Sequence, residues 1–165
     1  MAMQGQGLQQ LFVQGLQAVY SAEQQGLQAA QQIAQSASNP QLQQLLQDQT
    51  QRAQAQIQRL EQAMGQAGAS TEGLDNPIMR GILEAGQRIM SEAPDADTRD
   101  AGIIASGQIA LHYYMAAYGT LRSYAQALGN QEAAQQLEQV LDERKEQDQQ
   151  MTQLAEQVVN PQATS

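Results

Sequence analysis

Apolar residues return every third or fourth position along almost the whole chain, and nowhere do they alternate in the manner of a strand. That spacing lines one face of an α-helix, so the pattern supports an all-α fold. Leu8, Leu11, Phe12, Leu16, Val19, Tyr20, Leu27 and Ile33 mark a first helix from about Gly7 to Ala37. Asn39-Pro40 interrupts it, and proline suits the first turn of the helix that follows. Leu42, Leu45, Leu46, Ala53, Ile57, Leu60 and Met64 carry this second helix to about Gln66, where GQAGASTEGLD reads as the longest loop. A short third helix, Pro77 to Glu92, turns Ile78, Ile82, Leu83, Ile89 and Met90 inward. Asp95 or Asp97 caps a fourth that runs to about Leu128. Gly129 and Asn130 then end one helix and cap a fifth, with Leu137, Leu141, Met151, Leu154 and Val158 on its inner face.

Four long helices and one short one predict an antiparallel four-helix bundle. The connection between the second and fourth long segments is long enough to cross the bundle and holds the short helix. That makes the arrangement ferritin-like, two helix pairs joined by a crossover. We expect one bundle domain over residues 1–165, with 1–6 and 160–165 as frayed tails.

Composition narrows the function. The formal charge is −9, so a phosphate backbone is repelled and no nucleic-acid role is expected. No run of about 18 apolar residues offers a membrane span, and the N-terminus has no cationic, apolar leader, so a cytoplasmic location is expected. Without cysteine there are no disulfides, thiolate metal sites or cysteine nucleophiles. Glutamine fills 36 positions, interleaved with apolar residues at helical spacing, so it reads as helix surface rather than as a disordered tract.

Several segments, taken in order, carry a family resemblance. They are LFVQGLQAVYSAEQQGLQAA (Leu11–Ala30), SNPQL (Ser38–Leu42), QIQRLEQ (Gln56–Gln62), RDAGIIA (Arg99–Ala105), HYYMAAYGTLR (His112–Arg122), LGNQEAAQQLEQVLDERKEQD (Leu128–Asp148) and LAEQVVN (Leu154–Asn160). Together they resemble the YciE/YciF ferritin-like family over nearly the whole chain. The resemblance implies a ferritin-like bundle, dimeric, associated with bacterial stress responses. It also implies a dinuclear metal site between the four long helices.

That site needs several hard oxygen donors, often with histidine, projecting inward from the helices. Carried over position by position, Glu23 is retained. Gln49 and Arg52 stand where the family pattern has His and Glu. Leu111-His112-Tyr113-Tyr114 replaces Glu-His-Tyr-Glu, and Arg144 replaces a Glu while Asp148 remains. We therefore expect no metal and no cofactor. In their place we expect a polar cluster in which Glu23 and Asp148 pair with Arg52 and Arg144 beside Gln49, with Leu111 and Tyr114 filling space. An arginine can take a cation's place, because it is permanently charged and grips carboxylates.

If iron, manganese or zinc does bind, Glu23, His112, Asp148 and Glu84 are the remaining candidate ligands. The plainer readings are a packing role for His112, an aromatic core of His112, Tyr113, Tyr114 and Tyr118 with hydroxyls on Gln49 or Gln56, and a solvated Glu84. Glu23 stands out as the single acid of the first 47 residues. The leading expectation is a structural or interaction protein rather than an enzyme, a homodimer with an unidentified protein partner. A metal or redox protein with a reduced site, and an adaptor that binds a helix, are the alternatives.

Overall fold

The computed structural model describes residues 6–72 and 74–165. Helices α1 (Gln6–Ser36), α2 (Pro40–Ala67), α3 (Pro77–Glu92), α4 (Ala96–Ala127) and α5 (Gln131–Leu154) follow the expected segments. No strand occurs among the described residues. Three of these helices open on an asparagine cap. Asn39, Asn76 and Asn130 each accept a backbone N–H of the first turn, and proline follows directly at Pro40 and Pro77. Asp95 opens α4 in the same way through Thr98 N–H at 2.7 Å.

Helix α1 packs against α2 and α4, and α5 against α2 and α4, which closes a square. Hydrogen bonds fix the directions. Asp100, near the start of α4, accepts the Ser38 and Asn39 N–H groups at the α1–α2 corner, at 2.8 and 2.7 Å. Asn130, at the start of α5, reaches the Gln66 carbonyl at the other end. So α2 and α4 run parallel, and the chain must travel the length of the bundle between them.

Glutamines of α1 hold that crossover. Gln9 donates to the Ala67 carbonyl, Gln17 to Ser70 and Gln25 to the Asn76 carbonyl, so the loop climbs α1 in eight-residue steps before α3 completes the ascent beside α4. This is the ferritin-like connection. Part of the glutamine enrichment thus ties the loop down rather than only coating helices.

Asp100 was not singled out in the sequence, yet it is buried and holds two backbone donors. Asp100→Ala should cost about 1–2 kcal/mol in urea denaturation, since both donors lose a charged acceptor. A change of a few tenths would mean that water replaces it freely.

The short helix departs from expectation in its inner face. Met79 and Gly86 are buried and Ile78 is 61% exposed, while Ile89 is 41% exposed and rests its Cγ2 against Gly102 of α4. A Cβ on Gly86 would lie 3.1 Å from Ser106, so this glycine sets how closely α3 approaches α4. Directly after α5 a single π-helical turn, Ala155–Val159, inserts a residue, and Val159 rather than Val158 faces the core. Leu11, expected inside, is exposed at the edge of the α1 stripe. The expected tail at 160–165 continues as helix through Gln162, whose side chain accepts from Asn39 at 3.0 Å. The tail expected at 1–6 falls on residues outside the described ones, except Gln6, which opens α1.

The apolar interior has two parts. Phe12, Leu16, Leu60, Tyr118 and Leu137 fill the end nearest the α4–α5 turn. Leu42, Ile103, Leu111 and Val159 fill the other. A buried polar group lies where they meet.

Candidate functional site

Glu23 lies on the buried stripe of α1 with Phe12, Leu16, Val19 and Ala22, and only 2% of it is exposed. Arg144 occupies the corresponding stripe of α5, one turn past Val140 and Leu141, and is 6% exposed. The two meet across the bundle. Arg144 Nη2 donates to Glu23 Oε1 at 2.7 Å and to Oε2 at 2.6 Å, and Nη1 donates to Gln147 Oε1 at 3.1 Å.

Helix α4 completes the group. The Tyr118 hydroxyl donates to Glu23 Oε1 at 2.7 Å. The Tyr114 ring lies under the guanidinium, 4.3 Å from its carbon to the ring centre, a cation–π contact out of water. The Tyr114 hydroxyl donates to the Ala22 carbonyl at 3.0 Å. Gly26 permits this approach, because a Cβ there would stand 2.7 Å from that hydroxyl.

The electrostatics follow from burial. Desolvation, then the Glu23 charge, pushes both Tyr114 and Tyr118 well above the ordinary tyrosine range, and Arg144 only partly opposes this. For Arg144 itself, burial pulls down, but Glu23 and the two tyrosines together hold it above its ordinary value. Arg144 therefore remains a cation in the core, balanced by one carboxylate.

The other expected members of the cluster lie elsewhere. Arg52 is not inside. It falls beside the α2 stripe, and its side chain, 47% exposed, meets Glu146 at 3.6 Å. Asp148 does not join Arg144, because Gln147 and Met151 take the inward positions of α5. Asp148 turns toward α4 instead, where Gln108 and His112 approach it, each at 3.2 Å. His112 is 66% exposed and so forms no part of an aromatic core. Gln49 lines the interior beside Arg144 but touches neither tyrosine hydroxyl in a hydrogen bond. Leu111 and Tyr114 are buried where filling side chains were expected. Glu84 is exposed on α3.

Sequence reasoning also missed Asn76. It is buried, receives Met79 N–H, and donates to Ala18 O and the Tyr113 hydroxyl. The Asn-Pro pair it shares with Asn39-Pro40 was the available signal.

A dimetal centre does not fit these residues. Both Glu23 oxygens are engaged by a guanidinium, His112 and Asp148 meet each other between α4 and α5 outside the Glu23–Arg144 group, and Glu84 is exposed on α3. Among the described residues no three His, Cys, Asp or Glu side chains converge as a metal would require.

Comparison with known proteins agrees with the architecture. The chain is 31% identical over 157 residues to Protein YciF of Escherichia coli, covering 94% of this chain and 95% of that one. The crystal structure of the E. coli stress protein YciF superposes with a TM-score of 0.88 at 31% identity, over 93% of this chain and 97% of that one. YcfI of Rhodopseudomonas palustris gives 0.86 at 30% identity, over 92% and 97%. A protein of Xanthomonas campestris shares the fold at 17% identity, with a TM-score of 0.74 and 94% coverage of each chain. The family described as Domain of unknown function (DUF892) matches residues 7–164, and the chain belongs to that family, as a YciF-type ferritin-like bundle.

Proposed function

We propose that this chain is a stress-associated YciF-type bundle in which an internal ion pair has replaced the dimetal centre, and that it serves as a structural or interaction protein rather than an enzyme. The buried Glu23–Arg144 pair carries this reading, because it puts a fixed cation between the long helices, where the family resemblance implies a dinuclear site. The stress association comes from the description of E. coli YciF as a stress protein. No helix among the described residues is long and apolar enough to cross a membrane, which accords with a cytoplasmic setting.

A metal that binds only the native state raises stability by about 2.7 kcal/mol at a hundredfold excess over its dissociation constant. The melting temperature is therefore expected to be the same with chelator and with added ferrous, manganous or zinc ions. A rise of several degrees with one of them would overturn the metal-free reading. The same reading keeps the expected homodimer, with outward-facing Ile78 and Ile109 available for the contact, and light scattering checks the mass.

A further inference from the structure

A cavity of about 150 Å³ opens directly above the ion pair, between all five helices. It runs from the level of Glu23 to that of Ile33 on α1, ten residues and about 15 Å along the axis. Its two ends differ. Glu23, Tyr114 and Arg144 form the floor, and the far end is apolar, with Ile33, Leu46, Ile103 and Met151.

Among the described residues, the buried donors without a partner include the Gln49 side-chain amide nitrogen and Arg144 Nε. Both residues line the cavity. The hydroxyls along its wall give their protons to their own helices, Thr50 to the Leu46 carbonyl and Ser106 to the Gly102 carbonyl, and neither oxygen is a hydrogen-bond partner of these donors. A buried N–H without a partner is costly, so these two donors call for an acceptor that the protein does not supply. The floor is charge-balanced, so a charged guest would leave an uncompensated charge in the core.

Size, polarity and charge thus converge. We infer that the cavity is a binding site for a small neutral amphiphile, about the size of benzene, with one acceptor oxygen set on Gln49 and Arg144 and its apolar body toward Ile103 and Met151. An apolar cavity of this volume is known to hold benzene-sized guests. A glutamine-lined surface groove between α1 and α3 supplies the way in, since Ile33, Leu83 and Met90 border both spaces. Met90 is unbranched and can swing aside.

Cyclohexanone serves as the probe, with benzene as its apolar counterpart and hexanoate as its charged one, all in the presence of chelator. Methyl NMR of the full chain reads binding. Saturable shifts at Ile33, Met79, Ile103 and Met151 are expected with cyclohexanone and benzene, and none with hexanoate. Gln49→Leu should weaken cyclohexanone about tenfold and leave benzene unchanged. Ala110→Leu, which fills the cavity, should abolish both, and Ala53→Leu substitutes for it if the first variant does not fold. The inference fails if no probe saturates, if binding survives the filled cavity, if hexanoate binds as well as cyclohexanone, or if Gln49→Leu weakens both neutral probes alike.

Discussion

Arg144→Met is expected to destabilise the bundle by about 3–5 kcal/mol, because it leaves the Glu23 carboxylate in the core without its cation. In a domain of this size that corresponds to a fall in melting temperature of roughly 10 °C or more. The double variant Glu23→Met, Arg144→Met should recover most of the loss, since a buried ion pair replaced by well-packed apolar groups costs little. Urea denaturation of the four proteins in this cycle gives the coupling. A single variant within about 1 kcal/mol of the parent would mean that water reaches Glu23 and screens it.

Alkaline pH should be the second large effect. Tyr114 and Tyr118 hold their protons well above the ordinary range, through burial first and the Glu23 charge second. In the unfolded chain they release them near pH 10. Their native pKa values are the raised ones, so this stability is fully present below pH 10 and is lost as pH climbs toward the native values. Two such groups together should cost about 2 kcal/mol between pH 10 and pH 11. Urea midpoints at the two pH values measure it. Tyr114→Phe and Tyr118→Phe should each remove about 1 kcal/mol of that loss, and an unchanged slope in both would place the loss elsewhere, at Tyr20 and Tyr113 among others, whose pKa values burial also raises.

The helices were legible because their apolar residues repeat over many turns and because Asn-Pro and Asp caps mark the starts. The crossover was legible too, from the length between the second and fourth helices. Faces were less so. In α3, Ile78 is as apolar as Met79, and the packing against α4 and α1 decides that Met79 turns in and that Gly86 makes the contact with Ser106. Past the end of α5 the π turn shifts the inner face from Val158 to Val159, and no residue of that turn signals it.

The site shows the same division. Glu23 was conspicuous as a lone acid, and Arg144 as a cation on an inner stripe. Arg52 and Asp148 each sit about one position away from such a stripe, and one residue is a rotation of about 100° around a helix. That offset sends Arg52 to Glu146 and Asp148 to His112, outside the cluster expected for them.

Elemental mass spectrometry decides whether the Glu23–Arg144 pair stands where the family resemblance implies a dimetal centre. The protein is loaded with ferrous, manganous and zinc ions and desalted before measurement. Near-zero stoichiometry for every metal is predicted, in the parent and in Glu23→Gln alike. Stoichiometric metal in the parent that disappears in Glu23→Gln would show that the carboxylate leaves its arginine to bind metal, and would contradict the replacement.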